Sequence, residues 1–379
     1  MGKCYLKRQQ YPHHIMTVIK IFLPIAILMG MLTACPAQND AAGRPDTLVL
    51  QGNTMGTTYT VKYLDKSGLP PPQEIQRQMD GLLEEVNRQM STYRPDSEIS
   101  RFNQMRNTGR PMPISADFAA VTAEAVRLNR LTDGALDVTV GPLVNLWGFG
   151  PDRRITAEPD QEKIEQAAKM VGIDKIVLAQ NGRTASLAKT HPDVYLDLSS
   201  IAKGFGVDKL ALHLESLGIN DYLVEIGGEL RGLGRNAQGQ PWRVGIEQPA
   251  MLQGGGTQTV VPLNHCALAT SGDYRNFHTD QQGRRLSHII DPKSKTPISH
   301  RLASVSVLAD NAMTADGLST ALFVLGEEQA LRLAERHGLA VFLIIRNDDG
   351  GYRSEMSTAF KMISEQPSSP CTALQRNPL

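Results

Sequence analysis

Thr314-Ala315-Asp316-Gly317-Leu318-Ser319-Thr320-Ala321-Leu322 is the stretch from which the rest of the chain is read. Its spacing predicts a helix running to about Leu325, with Thr314 as N-cap and Gly326 as the stop. Ala315, Leu318, Ala321, Leu322 and Leu325 recur at helical spacing and form one apolar stripe. Asp316 and Thr320 fall at i and i+4, on the side away from that stripe. A carboxylate and a hydroxyl one turn apart are two hard oxygen ligands of the kind Mg²⁺ takes while keeping sites for water and phosphate. A plainer arrangement fits as well, with Asp316 complementing the helix dipole and Thr320 a surface hydroxyl. Taken alone, the stretch favours the plainer one.

The chain around it has 379 residues, with 39 basic and 39 acidic side chains. This balance argues against a nucleic-acid partner, which needs a basic surface. Lys3, Lys7, Arg8 and Lys20 precede an apolar run from Ile21 to Leu32 that is shorter than the roughly 20 residues of a membrane span. The run fits a secretory signal, and Leu32-Thr33-Ala34-Cys35 resembles a bacterial lipobox with Cys35 as the lipidated residue. Met16 is an alternative start, since Met16 to Cys35 makes a complete signal by itself. The expected organisation is a signal over 1–34, a tether over 35–46, one domain over 47–362 and a loose tail over 363–379. The anchored chain then faces an oxidising compartment, where Cys266 and Cys371 are free to pair or to remain apart.

Working outward, Leu48–Leu50 and the alternation Tyr59, Val61, Tyr63 predict a first hairpin. Ile75, Met79, Leu82, Leu83, Val86 and Met90 make a helical stripe. Further helices are expected around Phe118–Leu128, Ile164–Val171, Ser200–Leu217 and Glu328–His337. Strands are expected at Ile176–Leu178, Thr184–Leu187, Val194–Leu198, Tyr222–Ile226, Trp242–Ile246, Gln258–Leu263, Cys266–Ala269, Leu286–Ile290, Ser304–Leu308 and Ala340–Ile345. Strands that follow one another without intervening helices predict an α+β fold with antiparallel sheet.

Several stretches carry chemistry. In Asp197-Leu198-Ser199-Ser200-Ile201-Ala202-Lys203-Gly204-Phe205-Gly206 a strand ends and a helix begins. Lys203 in the first turn opposes the dipole, and each glycine costs about 1 kcal/mol relative to Ala. Free N–H groups, serine hydroxyls and a lysine make a phosphate site. A snorkelling lysine with glycines for close helix packing accounts for the same residues equally well. Thr132 to Pro142 and Leu146 to Gly150 are able to wall a pocket or simply to pack. Glu225-Ile226-Gly227-Gly228-Glu229 reads as a bulge at a strand end. Ala269 to Tyr274 and Ser287-His288-Ile289-Ile290-Asp291-Pro292 complete the set.

Together with Met55-Gly56-Thr57 and Ser91 to Glu98, these ordered motifs resemble the ApbE family of bacterial lipoproteins from about Leu48 to Phe360. The resemblance implies a T-fold-like α+β domain. It also implies an FAD:protein FMN transferase, which moves FMN from FAD to a Thr or Ser hydroxyl of an acceptor and releases AMP. Implied acceptors are subunits of sodium-pumping NADH:quinone reductase or Rnf-type redox complexes at the inner membrane, with the lipid anchor on the periplasmic side. Mg²⁺ falls on Asp316 and Thr320, with a further ligand around Ser200, where the family often has Thr. FAD contacts fall on Met55, Tyr93, Ala135, Leu136, Asp137, Asp197, Lys203 and Ile290. Phosphoryl transfer asks for positioning and charge stabilisation, with Lys203 on a phosphate oxygen and a base for the attacking hydroxyl. His288 is the first candidate base and Asp291 the second. Flavin storage without transfer, and hydrolysis of FAD to FMN and AMP, are the competing functions.

Overall fold

The alternation of Tyr59, Val61 and Tyr63 puts three aromatic and β-branched side chains on one buried face. Thr57–Leu64 accordingly pairs with Thr47–Thr54 as an antiparallel hairpin. The computed structural model describes residues 45–149, 159–182, 184–247, 257–272, 277–279 and 285–365. Cys35, Cys371, Gly150, Asp273, Tyr274 and the segments expected to be signal and tail beyond 365 lie outside these residues. Cys266 is disulfide-bonded. Among the described residues no helix is long and apolar enough to cross a membrane.

The hairpin opens an eight-stranded sheet. Its order is Thr47–Thr54, Thr57–Leu64, Tyr222–Ile226, Glu229–Leu233, Cys266–Gly272, Leu302–Ala309, Ala340–Arg346 and Tyr352–Met356. Every neighbouring pair is antiparallel. Eight helices are described: α1 (Pro72–Met90), α2 (Glu98–Gln104), α3 (Ala116–Leu131), α4 (Gly141–Leu146), α5 (Gln161–Ala168), α6 (Ala202–Ser216), α7 (Ala312–His337) and α8 (Thr358–Glu365). The α+β class read from the order of elements is the observed one.

Strand alternation divides the core. Tyr222, Val224 and Ile226 face α1 and α6, joined by Ile75, Met79, Val207 and Leu210. The intervening Leu223 faces the other way, with Trp242, Phe342 and Phe360. Burying each of these side chains is worth about 1.5–3 kcal/mol. A third cluster joins α3, the outer side of α7 and a small sheet of Met112–Ile114, Thr184–Lys189 and Ile176–Asn181.

Several expectations are corrected. The N-cap of α7 is Asn311, whose side chain accepts from Thr314 N at 2.8 Å, three residues before the expected cap. Gly326 does interrupt the helix, with φ 75° and ψ 171°, but the chain resumes helical turns and runs on to His337. Gly227 and Gly228, at φ 59° and 106°, are a two-residue hairpin turn joining Ile226 to Glu229, not a bulge. Both central residues at positive φ are the requirement of a type I′ turn. The strand beyond it, Glu229–Leu233, went unread, as did Tyr352–Met356, α2 and α8. Leu286–Ile290 is split between two short strands, Arg285–Ser287 and Ile290–Asp291. Val194–Leu198 has the alternation of a strand, with Val194, Leu196 and Leu198 buried, yet it joins no ladder among the described residues.

Candidate active site

Two helices meet at the middle of the molecule with almost no side chain between them. A Cβ on Gly204 of α6 would overlap the main-chain carbonyl of Ala312 at the start of α7. This close crossing is why glycine stands inside the first turn of a helix. Gly206 serves a different contact, since its Cβ would come 2.9 Å from Met55 Cε and 3.2 Å from Ile226 Cδ1. Asp208 of α6 accepts from Ala312 N at 3.0 Å and Met313 N at 2.9 Å, capping α7. Arg231 pairs with that carboxylate at 2.9 Å.

The crossing brings Lys203 and Asp316 together. Asp316 is 2 % exposed. Its Oδ2 accepts from Gly204 N at 2.9 Å, and its Oδ1 stands 3.6 Å from Lys203 Nζ. One of the α6 N–H groups expected to greet a phosphate is therefore committed to Asp316. Lys203 Nζ also lies 2.8 Å from Glu229 Oε2. That contact is an ion pair off the hydrogen-bond direction, so Glu229 Oε2 is buried without an aligned donor. Burial pulls the lysine amine down, but the charges of Asp316 and Glu229 outweigh it and hold the amine above its ordinary value. Burial, and then the charge of Asp316, push the Glu229 carboxyl up to about 8 despite Lys203.

One turn along α7, Thr320 joins a set of hydroxyls. Ser271 Oγ lies 3.1 Å from Thr320 Oγ1 and 2.8 Å from Ser319 Oγ, and Ser319 donates to the Asp316 carbonyl at 2.9 Å. Asp316 and Thr320 both line a cavity of about 800 Å³. Tyr93, Ala135, Leu136, Asp137, Asp197, Ser200, Lys203, His288 and Ile290 line the same cavity. Asp137 is pushed up by burial, partly offset by hydrogen bonds from the Thr139 hydroxyl and N–H at 2.6 and 2.8 Å. Asp197 accepts from Ser199 N at 2.9 Å, which turns the chain toward α6.

Two expected site residues stand apart. Met55, at φ 49° in the first hairpin turn, packs its side chain into the core instead of lining the cavity. Asp291 spends its carboxylate on Lys293 N at 2.9 Å and Ser294 N at 3.2 Å, shaping a turn, and is absent from the cavity wall. His288 does line it. Glu229 and Ser271 went unassigned. The signal for Glu229 was an acid opening a strand straight after paired glycines, a place where an exposed edge is otherwise expected.

The donor set discriminates among metals. Among the described residues no three His, Cys, Asp or Glu side chains converge on one point. One carboxylate with the Thr320 and Ser271 hydroxyls is an all-oxygen, ligand-poor corner. It fits Mg²⁺, which binds through one or two carboxylates and relies on water and substrate phosphates for the rest.

An antiparallel α+β domain with a carboxylate, hydroxyls and a paired lysine lining one large cleft is the class defined so far. The chain belongs to the ApbE family, whose model matches residues 55–343. It is 51 % identical to a Haemophilus influenzae FAD:protein FMN transferase over 342 residues, covering 89 % of this chain and 98 % of that protein. An Escherichia coli FAD:protein FMN transferase is 39 % identical over 336 residues, covering 87 % of this chain and 93 % of its own length. The solved structure of flavin transferase ApbE from Vibrio cholerae superposes with a TM-score of 0.77 at 47 % identity, covering 84 % of this chain and 99 % of that one. The apo flavinyl transferase ApbE of Pseudomonas stutzeri gives 0.77 at 39 % identity, covering 84 % and 97 %.

Proposed function

We propose that this chain transfers the FMN part of FAD to a Thr or Ser hydroxyl of an acceptor protein and releases AMP, with Mg²⁺ as cofactor. The observation that carries the reading is that Asp316 and Lys203, 3.6 Å apart, line with Thr320 one cavity of about 800 Å³, roomy enough for a dinucleotide. Membership of a family whose relatives bear the name FAD:protein FMN transferase supports it.

The acceptor oxygen forms a bond to the phosphorus on the FMN side, the bridging P–O bond breaks, and AMP leaves with that electron pair. Asp316 and Thr320, with Ser200 lining the same cavity, would hold Mg²⁺, which would supply charge neutralisation at the pyrophosphate. Lys203, kept protonated by its carboxylate neighbours, offers a fixed positive charge to a phosphate oxygen. His288, on the cavity wall, is the group to take the hydroxyl proton. Tyr93 at the mouth, with Ala135, Leu136 and Ile290, offers apolar and aromatic surface for the rings.

Lipidation at Cys35, a position on the periplasmic side of the inner membrane, and acceptors in sodium-pumping or Rnf-type complexes are part of the same reading and rest on the sequence motifs. Incubation with FAD, Mg²⁺ and an acceptor protein tests the chemistry by mass spectrometry. The reading expects the acceptor to gain the mass of FMN with one AMP per event. Free FMN and AMP without acceptor labelling would make the chain a pyrophosphatase, and intact FAD would make it a flavin carrier.

A further inference from the structure

Val194–Leu198 alternates inward and outward, but among the described residues no strand pairs with it. A segment of this kind must still satisfy its main-chain polar groups. Two side chains do so. Asn103 of α2 donates through Nδ2 to Leu196 O at 2.9 Å and accepts from Leu196 N through Oδ1 at 2.8 Å. This reciprocal pair is what a neighbouring strand would have offered. Lys189, at the end of the strand Thr184–Lys189, is fully buried. Its Nζ donates to Val194 O at 3.2 Å, Pro192 O at 3.3 Å and Asn103 O at 3.1 Å, and lies 5.0 Å over the Phe102 ring. Among the described residues no carboxylate pairs with it. Three carbonyl dipoles and an aromatic face hold the ammonium. Burial and the nearby Arg106 pull it down to about 8, which leaves it protonated at neutral pH.

The segment so held is the one that delivers the cleft residues. Asp197 follows Leu196 directly, and its N–H donates to Val138 O at 2.8 Å, beside the cavity-lining run Ala135–Asp137. Ser199 and Ser200 follow, and then the first turn of α6 with Lys203. We propose that Asn103 and Lys189 are positioning residues: by standing in for the missing strand they fix Asp197, Ser199 and Ser200 against the cleft. Ordinary strand pairing would satisfy the same main-chain groups but would put another chain where α2 now lies. The clamp leaves the segment with side-chain partners on one side, while Asp197, Ser199 and Ser200 line the cavity. A shift of about 1 Å at such a site costs on the order of 100-fold in rate.

The inference uses the flavin-transfer reading only for its readout, and wild-type protein run alongside shows whether that reading itself stands. The test compares Asn103→Ala and Lys189→Met with Arg106→Ala, each as the full chain. Arg106 pairs with Asp193 at the surface of the same loop and is the control, because exposed ion pairs contribute little. Folding is checked by thermal melting and circular dichroism. FAD affinity is read by flavin fluorescence, and kcat and KM for the acceptor are counted per folded molecule. Asn103→Ala is expected to fold, to bind FAD at least tenfold more weakly and to lose at least tenfold in kcat, with KM for the acceptor within twofold. Arg106→Ala is expected to match wild type in all of these. Folded Asn103→Ala with FAD affinity and kcat both within twofold of wild type would overturn the proposal, whether or not Lys189→Met folds.

Discussion

Replacing Asp316 with Asn separates the electrostatic role of this residue from its structural one. The amide keeps an oxygen for Gly204 N, which now donates to the carboxylate at 2.9 Å. What is lost is one negative charge 3.6 Å from Lys203 Nζ. At an effective dielectric of about 20 that attraction is worth about 5 kcal/mol before any offset. Most of it is offset, because an amide is far cheaper to bury than a carboxylate, and removing the Asp316 charge relieves one of the causes that hold the Glu229 carboxyl up, so that Glu229, 2.8 Å away, becomes the lysine's counter-charge. The variant is therefore expected to fold with a stability change within about 2 kcal/mol. Catalysis has no such offset. Without the carboxylate the proposed Mg²⁺ corner holds only hydroxyls, and the loss of one preorganised charge at a transferring phosphoryl group costs about 3–4 kcal/mol, roughly 10²- to 10³-fold in turnover. The assay is AMP release and acceptor labelling across a Mg²⁺ titration, with melting curves in parallel. A folded variant keeping more than a tenth of wild-type turnover, with the same Mg²⁺ midpoint, would refute the assignment.

Other outcomes follow from single contacts. Glu229 is held near 8 by burial against an ordinary 4.5, so the native chain keeps a proton that the unfolded chain gives up. Stability of the ligand-free protein should fall as pH rises from about 4.5 to about 8, and Glu229→Gln should flatten that slope in melting curves; an unchanged slope would count against the buried acid. Gly204→Ala puts a methyl against the Ala312 carbonyl and should cost about 3 kcal/mol, seen as a lower denaturation midpoint, whereas a neutral result would mean the helices part freely. Tyr93 is 75 % exposed, so Tyr93→Ala should alter stability by less than about 0.5 kcal/mol yet weaken FAD binding about five- to tenfold in fluorescence titration. Unchanged affinity would remove Tyr93 from the ligand.

The parts legible from sequence were those written in local period. Tyr59, Val61 and Tyr63 gave away the hairpin, the α1 stripe was plain, and Gly326 marked a real break in α7. Legibility failed where the partner of a group is distant in sequence. Val194–Leu198 reads as a strand because its burial alternates, and only Asn103 and Lys189, far away in the chain, show that its hydrogen bonds go elsewhere. Thr314 reads as a cap because it is polar and precedes a stripe, but Asn311 and Asp208 divide that work. Within the cleft, Asp316, Thr320 and Lys203 were picked out as residues, while the coupling of Lys203 to Glu229 depends on a hairpin folding back.

Gly204 resting on the Ala312 carbonyl has a mechanical meaning. Main chain against main chain leaves no rotamer to yield, so the two rods hold one spacing where they cross. The Lys203 ammonium rides on a stem with several rotatable bonds, whereas Asp316 is tied to the other rod's Gly204 N–H. Any give between acid and amine is therefore lodged in the lysine stem and not in the frame beneath it.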